Sequence, residues 1–522
     1  MKENDDKIID NDVLSNDLKG ALKLDSFYET RKQTKNKSII IGIISGILIF
    51  LLISIAVLLV INSINSNNKL NNFKEITEPV LVEMEPKVEN LILNTVNVNL
   101  DRAYGKIEII WLDKENRQID KPLKPILNDL IPVKYDKDNY KFVRTVDKDA
   151  DWYDYDNKMW ANAINKDNSY FVWIPRFAYK IIYYEDSSYK NISGYSDARG
   201  ILKVSDNDKN TFLKIAEPNK GLVSVGNNYI LHPAFMNDKI NEYINGGNDL
   251  ETSGFWIAKY ESSLETSEIR LIAQTTDVLA SDKILLSSKP AKRAWRDISV
   301  KNAYINAFNY DRNNDSHLVK ISEWGAVAYL SFSKYGTNGA NLSINDNENY
   351  ITGGIDNEED VYKIKYIQTS NRNQTGVYDL SGGVSEYLAA YIPNNSPNIY
   401  INGGNGLTDI GGDRFNSRYK NVYKFAVTDT GNSDIETVDY NINNYYANSK
   451  QRGDALWETS NFGAINSGWF YNSSVFPIGS HPFMIRGGSV KDGIKSGLFN
   501  FNNSDGKASD STGFRIALNV NK

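Results

Sequence analysis

A chain of 522 residues is too long for one ordinary hydrophobic core, so two or more domains are expected. The composition, with 41% hydrophobic and 24% charged residues, is that of a folded protein and not of a disordered one. A formal net charge of -6 leaves no broad cationic surface to neutralise phosphates, which excludes nucleic acid as a partner. The lack of cysteine excludes disulfides, thiolate nucleophiles and thiolate metal sites.

The first predicted element is a membrane helix. The stretch 38–68 contains no charged residue, and the apolar run Ile39–Ile61 would reach roughly 30 Å as a helix, enough to cross a bilayer. Basic residues are concentrated just before this run, which predicts a cytoplasmic N-terminus. We therefore expect a cytoplasmic tail (1–37), a transmembrane helix (38–62) and a large extracellular part, as in a single-pass protein of a bacterial cell surface.

Small residues recur at every fourth position of this apolar run. Ser38, Gly42 and Gly46 have the spacing that allows two helix backbones to approach closely. One interpretation is a homodimer through Gly42 and Gly46, and the other is an apolar helix with ordinary small residues.

The next segment, 63–121, is predicted to be a spacer followed by a small β module. An Asn/Ser-rich stretch leads into a charged segment with Pro79 and Pro86, which is typical of a linker. Alternation of apolar and polar residues over Lys106–Leu112 predicts a strand. An immunoglobulin-like stalk is the expected architecture.

The remainder, 122–522, is predicted to be one large domain with many loops. Its clearest helix is Lys320–Phe332, where the apolar residues lie largely on one face and Ser322 is the predicted N-cap. A second, shorter helix is expected from about Gly383 to Tyr391.

Three separated segments resemble motifs of the formylglycine-generating enzyme (sulfatase-modifying factor) family. They are His317–Leu330 with its Glu-Trp pair, Gly376–Tyr387, and Arg486–Ser489 followed near the end of the chain by Gly513–Arg515. The order and the terminal position match those of the family. The resemblance implies a C-type-lectin-like fold of the α+β class, with short strands and few helices.

The arginines and glycines of these motifs also have a structural interpretation. Gly487 and Gly488 are suited to a bulge inside a strand, and Phe514 to a terminal strand with one buried face. Arg486 and Arg515 are predicted to be structural hydrogen-bond donors, because a buried arginine needs partners.

The resemblance stops at the catalytic residues. Asp492 and Gly497 occupy the positions of the two cysteines with which the family's oxidases bind copper, so a non-catalytic member is expected. A metal-dependent oxidoreductase with a non-thiol centre is the alternative from another class.

Family members can also bind calcium near the loop 381–387. Glu386 is the predicted calcium ligand, and a capping role for Glu386 is the other interpretation.

The predicted function is the binding of an extracellular glycan or protein ligand, because aromatic faces mixed with amide groups suit such ligands. A core role for the same aromatic residues is the competing interpretation. A second hypothesis follows from a resemblance to the variable ligand-binding proteins of diversity-generating retroelements, which place a lectin-like domain at the C-terminus. The predicted ligand-binding residues are Trp469, Tyr471, Asn472, Phe476, Asp492, Phe499 and Asn502.

Overall fold

The computed structural model describes much of the chain from residue 105 to residue 520. Contacts divide the chain into two units, 1–92 and 93–522, and all described residues belong to the second unit. The described ranges are 105–184, 201–202, 211–214, 222–237, 243–266, 277–342, 366–394, 397–404, 406–408, 417–426, 442–460, 468–470 and 472–520.

The described part is mostly β-sheet with few helices, as expected for the α+β class. The α-helices are α1 (Val300–Asn309), α2 (Ile321–Phe332), α3 (Pro397–Ile401) and α4 (Ile442–Ala447). The strands are β1 (Gly105–Leu112), β2 (Gln118–Ile119), β3 (Ile131–Asp136), β4 (Lys141–Arg144), β5 (Asn162–Ile164), β6 (Tyr170–Pro175), β7 (Phe177–Tyr184), β8 (Ile201–Leu202), β9 (Thr211–Lys214), β10 (Ile230–Leu231), β11 (Gly254–Ala258), β12 (Ser263–Thr266), β13 (Ile284–Ser287), β14 (Ser316–Leu318), β15 (Ser385–Tyr391), β16 (Asn421–Val422), β17 (Phe483–Gly487), β18 (Gly497–Ser504), β19 (Thr512–Phe514) and β20 (Ile516–Leu518).

These strands form three larger sheets and one hairpin. The first sheet has the order β2-β1-β7-β9-β8, with β10 also paired to β7. The second has the order β14-β20-β11-β6-β5-β3-β4, and the third has the order β16-β15-β17-β18, with β19 beside β15. The last two strands enter different sheets, β19 beside β15 and β20 beside β11 and β14. The C-terminus therefore links the second sheet to the third.

The core is unusually rich in indole rings. All nine tryptophans of the chain are fully buried, including Trp173 and Trp256, which face each other across the pair β6–β11. Large aromatic side chains bury much apolar area each, so such residues dominate the stability of a core. The aromatic richness of the sequence therefore reflects packing to a large extent.

Helix α2 confirms the strongest helix prediction, and all its residues are buried. Its N-cap is Lys320 and not Ser322: the backbone N–H of Lys320 donates to the Glu323 carboxylate at 2.9 Å, the reciprocal half of a capping box. Gly325 lies where the helix meets another segment. A Cβ added there would be 1.7 Å from the carbonyl oxygen of Gly453, so only glycine fits.

The second predicted helix is wrong, because Ser385–Tyr391 forms strand β15, buried along its whole length. Its neighbours β17 and β19 complete its hydrogen bonds on both sides, and this pairing outweighs the local helical pattern. The predicted bulge is confirmed in β17. The register with β18 shifts between Arg486 and Gly487, and Gly487 has φ of 82°.

The predicted membrane anchoring needs correction. No helix among the described residues is both long and apolar enough to cross a bilayer. The run assigned to that helix (38–62), with Gly42 and Gly46, lies outside the described residues. The single-pass anchoring and the cell-membrane localisation are contradicted by this finding and are not carried forward.

The boundary of the predicted stalk module also differs from the structure. Strand β1, which the sequence places in a module ending near residue 121, pairs along its length with β7, from Gly105 opposite Tyr183 to Trp111 opposite Phe177. Trp111 is buried in the main core. Strand β1 is therefore an integral strand of the large domain, because its apolar face is covered by that domain.

Candidate binding cleft

One cleft of the described structure lies along the outward face of β1. Alternation in this strand directs Ile107, Ile109 and Trp111 into the core and leaves Lys106 and Glu108 at the surface. The register with β7 places Glu108 directly opposite Lys180, and their side chains form an ion pair of 2.8 Å. Lys106, two positions away on the same face, approaches the Glu108 carboxylate at 3.0 Å.

Tyr229 forms the side of the cleft next to this charged row. It follows a tight turn in which Asn227 and Asn228 have φ values of 48° and 65°, the left-handed conformation that asparagine tolerates well. Its hydroxyl donates to Glu108 at 3.0 Å, and the Lys180 ammonium lies 4.6 Å from the centre of its ring. The turn therefore holds an aromatic face beside three charged groups.

These donors determine the charge of Glu108. Burial alone would raise its pKa, but the hydrogen bonds and charges of Lys180 and Lys106, with the Tyr229 hydroxyl, outweigh burial and lower its pKa to about 2. For Tyr229, burial and the adjacent Glu108 raise the pKa of the phenol. At neutral pH the carboxylate is therefore ionised and the phenol remains a donor.

The opposite wall comes from the end of α2 and the turn after it. Phe332, which is almost fully buried, contributes an apolar edge, and Lys334, Asn338 and Gly339 complete the lining. The backbone N–H of Gly339 donates to the carbonyl oxygen of Phe332 at 2.8 Å, which fixes the turn against the helix. The cleft encloses about 570 Å³, within the range of small-ligand sites.

The residues of the family-like motifs lie elsewhere, in a buried ionic cluster. Arg515 donates to the Glu386 carboxylate at 2.7 Å and 3.1 Å, and to the carbonyl oxygens of Ala258 and Tyr378 at 3.0 Å and 2.9 Å. Neither Arg515 nor Glu386 has any exposed side-chain surface. As predicted, this arginine is a structural donor.

Two further carboxyl groups adjoin this pair. Burial raises the pKa of Asp379 to about 7, the Arg515 charge opposing and the Glu386 charge adding to the shift. Burial, followed by the charges of Asp379 and Glu386, raises the pKa of Glu261 well above its usual range. Three carboxyl groups thus share one guanidinium. Protonation within these carboxyl groups at neutral pH reduces the repulsion between them.

Arg486 has the same structural role in another part of the core. It is fully buried and donates to the carbonyl oxygens of Asp454, Ala455 and Leu498 at 3.0 to 3.3 Å. Neither motif arginine is accessible to a ligand.

Most of the predicted ligand-binding residues are also in the core. Tyr471 lies outside the described residues, Asn502 is half-buried, and Asp492 is exposed, where its carboxylate accepts from the Ser489 N–H at 2.6 Å. The aromatic residues Trp469, Phe476 and Phe499 are buried, as the competing interpretation expects, and Asn472 is buried as well.

The predicted calcium ligand and the histidines do not form a metal site in the described structure. Both oxygens of Glu386 accept from Arg515 and leave little room for a cation. His232 is buried among aromatic rings, where burial lowers its pKa to about 3, while His317 pairs with Glu323. Among the described residues, no group of three or more histidine or acidic side chains is arranged to hold a metal ion.

The cleft residues were missed because the strand that carries them was assigned to a stalk. The alternation Lys106-Ile-Glu-Ile indicated a strand with a charged outer face. Its pairing with Lys180 and its proximity to Tyr229 and Lys334 depend on contacts distant in sequence. A single sequence contains no signal for such contacts.

The fold and the cleft together define an α+β protein with a solvent-accessible ligand-sized cavity. No protein-family model matches the chain, and no curated protein does, so the expected membership of the formylglycine-generating enzyme (sulfatase-modifying factor) family is not supported. Among solved structures, variable protein 1 of Treponema denticola is similar at 13% sequence identity with a TM-score of 0.22, over 52% of this chain and 86% of that chain. A TM-score of this size carries no argument about fold or function.

Proposed function

We propose that this chain is a ligand-binding protein whose large domain has a C-type-lectin-like fold and binds an acidic glycan in the cleft along β1. The observation that carries the proposal is the cavity of about 570 Å³, which combines an apolar wall, an aromatic side and several cationic groups. Such mixed clefts are the usual form of small-ligand sites. Sugar rings have apolar faces and polar edges, which suits this mixture.

The charges of the cleft favour an anionic ligand. Lys106, Lys180 and Lys334 contribute three positive charges at or beside the cavity, and Glu108 contributes one negative charge. Lys334 forms no ion pair with a described residue, and its ammonium lies 4.8 Å from the centre of the Tyr335 ring. A sugar carboxylate is therefore the expected partner of Lys334.

Binding, rather than the oxidation known in the resembling family, is supported by the use of the motif residues. The guanidinium groups of Arg486 and Arg515 donate to carbonyl oxygens in the core. Asp492, in the position of a family cysteine, caps a short turn.

The experiment is a titration of the full-length chain with two matched sets of oligosaccharides, one containing uronic acids and the other their neutral counterparts. The acidic set should bind more tightly, and the difference should shrink as salt is raised because exposed charges are screened. Lys334→Met should weaken acidic binding roughly tenfold, as expected for the loss of about 1.4 kcal/mol from one charged contact.

A matched control is Lys166→Met, which removes an exposed lysine that does not line the cleft. Binding should be unchanged in that variant. Equal affinity of the native chain and Lys334→Met for the acidic set would contradict the proposed site. Failure of both oligosaccharide sets to bind would contradict the proposed function.

A further inference from the structure

A buried lysine lies beside an asparagine at the base of α2, away from the cleft. The Lys320 side chain has no exposed surface, and its ammonium is 3.0 Å from Oδ1 of Asn248 and 2.8 Å from the carbonyl oxygen of Gly246. The Glu323 carboxylate is 3.5 Å from the same nitrogen. The amine of Lys320, the carboxamide of Asn248 and the carboxylate of Glu323 therefore lie together in a buried site.

We propose that Lys320 and Asn248 become joined by an intramolecular isopeptide bond. The Nζ of Lys320, after losing a proton to Glu323, attacks Cγ of Asn248, and a new C–N bond forms. The bond from Cγ to Nδ2 then breaks, and Nδ2 leaves as ammonium after taking up the protons released from Nζ. One ammonium ion replaces one lysine ammonium, so charge and atoms balance and nothing is oxidised or reduced.

The neighbours of Asn248 orient its carboxamide for this attack. Nδ2 donates to the carbonyl oxygen of Ala234 at 2.8 Å, and Oδ1 accepts a hydrogen bond of 2.9 Å from the side-chain amide of Asn519. The second bond polarises the carbonyl and stabilises the negative charge that develops on Oδ1 during the attack. These two bonds also fix which atom is oxygen and which is nitrogen.

Glu323 is held in place as the proton carrier. Its carboxylate accepts from the Lys320 backbone N–H at 2.9 Å and contacts Nε2 of His317 at 2.9 Å. Burial raises the pKa of Glu323, but the charges of His317 and Lys320 outweigh burial and lower it to about 2, so the group is ionised and able to accept a proton. A weak base makes the transfer slow, which a reaction that occurs once in the life of the protein tolerates.

Burial favours this reaction in two ways. Lys320, Asn248 and Glu323 are each at most 3% exposed, so water does not compete with the amine for Cγ. The reacting groups are already adjacent, which replaces a bimolecular encounter by a local one.

Lys259 offers an internal comparison. It is equally buried, but its ammonium contacts the backbone carbonyls of Gln374 and Gly376, which are poor electrophiles.

Peptide mapping of the denatured full-length chain tests the proposal. Trypsin should fail to cleave after Lys320 while cleaving after Lys259, and the peptide 240–259 should be recovered linked to the peptide 313–334. The linked mass should equal the sum of the two peptides minus one ammonia. Recovery of separate, unmodified peptides ending at Lys320 and at Lys259 would overturn the proposal.

The peptide link matters because a succinimide at Asn245–Gly246 would also remove one ammonia without joining two peptides. Asn248→Asp provides a chemical control, because an aspartate at this position would lose water in place of ammonia when it forms the same link. Lys320→Met and Glu323→Gln should both give unlinked peptides. The result on the native chain decides the matter even if a variant fails to fold, and it does not depend on the proposed glycan binding.

Discussion

The Arg515 cluster and the β1 cleft both place carboxyl groups beside cations, but the cluster has three carboxyl groups around one guanidinium, whereas the cleft has one carboxylate beside two ammonium groups. Glu386 and Arg515 have no exposed surface, whereas Glu108 and Lys106 retain 33% and 48% of their side-chain exposure. Arg515 is saturated by a carboxylate and two carbonyl groups. Lys334 at the cleft has no ionic partner among the described residues.

The comparison shows that resemblance in motif and suitability for a ligand are separate properties here. The motif residues in Gly376–Tyr387 and Gly513–Arg515 maintain the core, because a buried charge is tolerated only when it is paired and hydrogen-bonded. The cleft residues are partly solvated and can exchange water for a ligand at low cost. Substitutions should therefore affect stability in the first region and binding in the second.

The largest effect is expected from Arg515→Met. It leaves the Glu386 carboxylate buried without its cation beside Glu261 and Asp379, and breaking such a pair costs about 3–5 kcal/mol of unfolding free energy. Urea unfolding monitored by tryptophan fluorescence would measure the loss. Lys491→Met is the control, because the Lys491–Asp510 pair is exposed and its removal should leave the unfolding midpoint unchanged. Equal midpoints for both variants would contradict the structural role of Arg515.

Gly325→Ala should be the next most damaging change. The added Cβ would lie 1.7 Å from the Gly453 carbonyl oxygen, so α2 must shift, and overpacking of this kind costs about 1–3 kcal/mol or more. Thermal unfolding of the variant should show a lowered Tm. Gly406→Ala serves as the comparison, since its Cβ would come no closer than 3.3 Å to another atom. A Gly325→Ala protein as stable as Gly406→Ala would argue against the close approach.

The contrast also explains what could be predicted from the sequence. Helix α2 was predicted because its apolar periodicity is a local feature, whereas its N-cap was assigned to Ser322 in place of Lys320. The bulge at Gly487 was predicted because two adjacent glycines in a strand signal it. Strand β15 was missed because its conformation depends on β17 and β19, which are far away in sequence.

The burial of the aromatic residues proposed to bind a ligand could not be predicted for a related reason. Aromatic residues such as Trp469 and Phe499 are equally suited to a core and to a glycan, and composition cannot distinguish the two uses. Their burial is fixed by Phe332 of α2, which contacts both rings. The cleft arises from the register of β1 with β7, and register depends on the assembled sheet.

Asp379→Asn should change how stability depends on pH. Because the pKa of Asp379 is raised from 3.8 to about 7 in the folded chain, the folded state binds more protons, and stability falls as pH rises through this window. The slope for one group approaches about 1.4 kcal/mol per pH unit. The variant should therefore lose less stability between pH 5 and pH 8, as measured by urea unfolding at each pH.

Asp454 supplies the control for this prediction. Burial raises its pKa to about 7 as well, with the Tyr423 hydrogen bond opposing the shift, so a second contribution of the same sign remains in the Asp379→Asn variant. The slope should flatten without disappearing. An unchanged slope would mean that Asp379 is ionised in the folded chain throughout this range.

The smallest effect on stability is expected from Glu108→Gln. The ion pairs with Lys106 and Lys180 are partly exposed, and such pairs contribute about 0–1 kcal/mol. Binding should respond in the opposite direction to Lys334→Met. Removal of the only carboxylate lining the cleft among the described residues takes away the negative charge beside Lys106 and Lys180, so uronic-acid oligosaccharides should bind several-fold more tightly while neutral ones bind as before.

Calorimetric titration at low and moderate salt would measure this change. The gain should be larger at low salt, because attraction between partly solvated charges is screened within about 10 Å at 0.1 M ionic strength. A weaker affinity for the acidic set would mean that Glu108 itself contacts the ligand, as an acceptor for sugar hydroxyls. In that case the cleft would select for a neutral sugar edge and not for an acidic group.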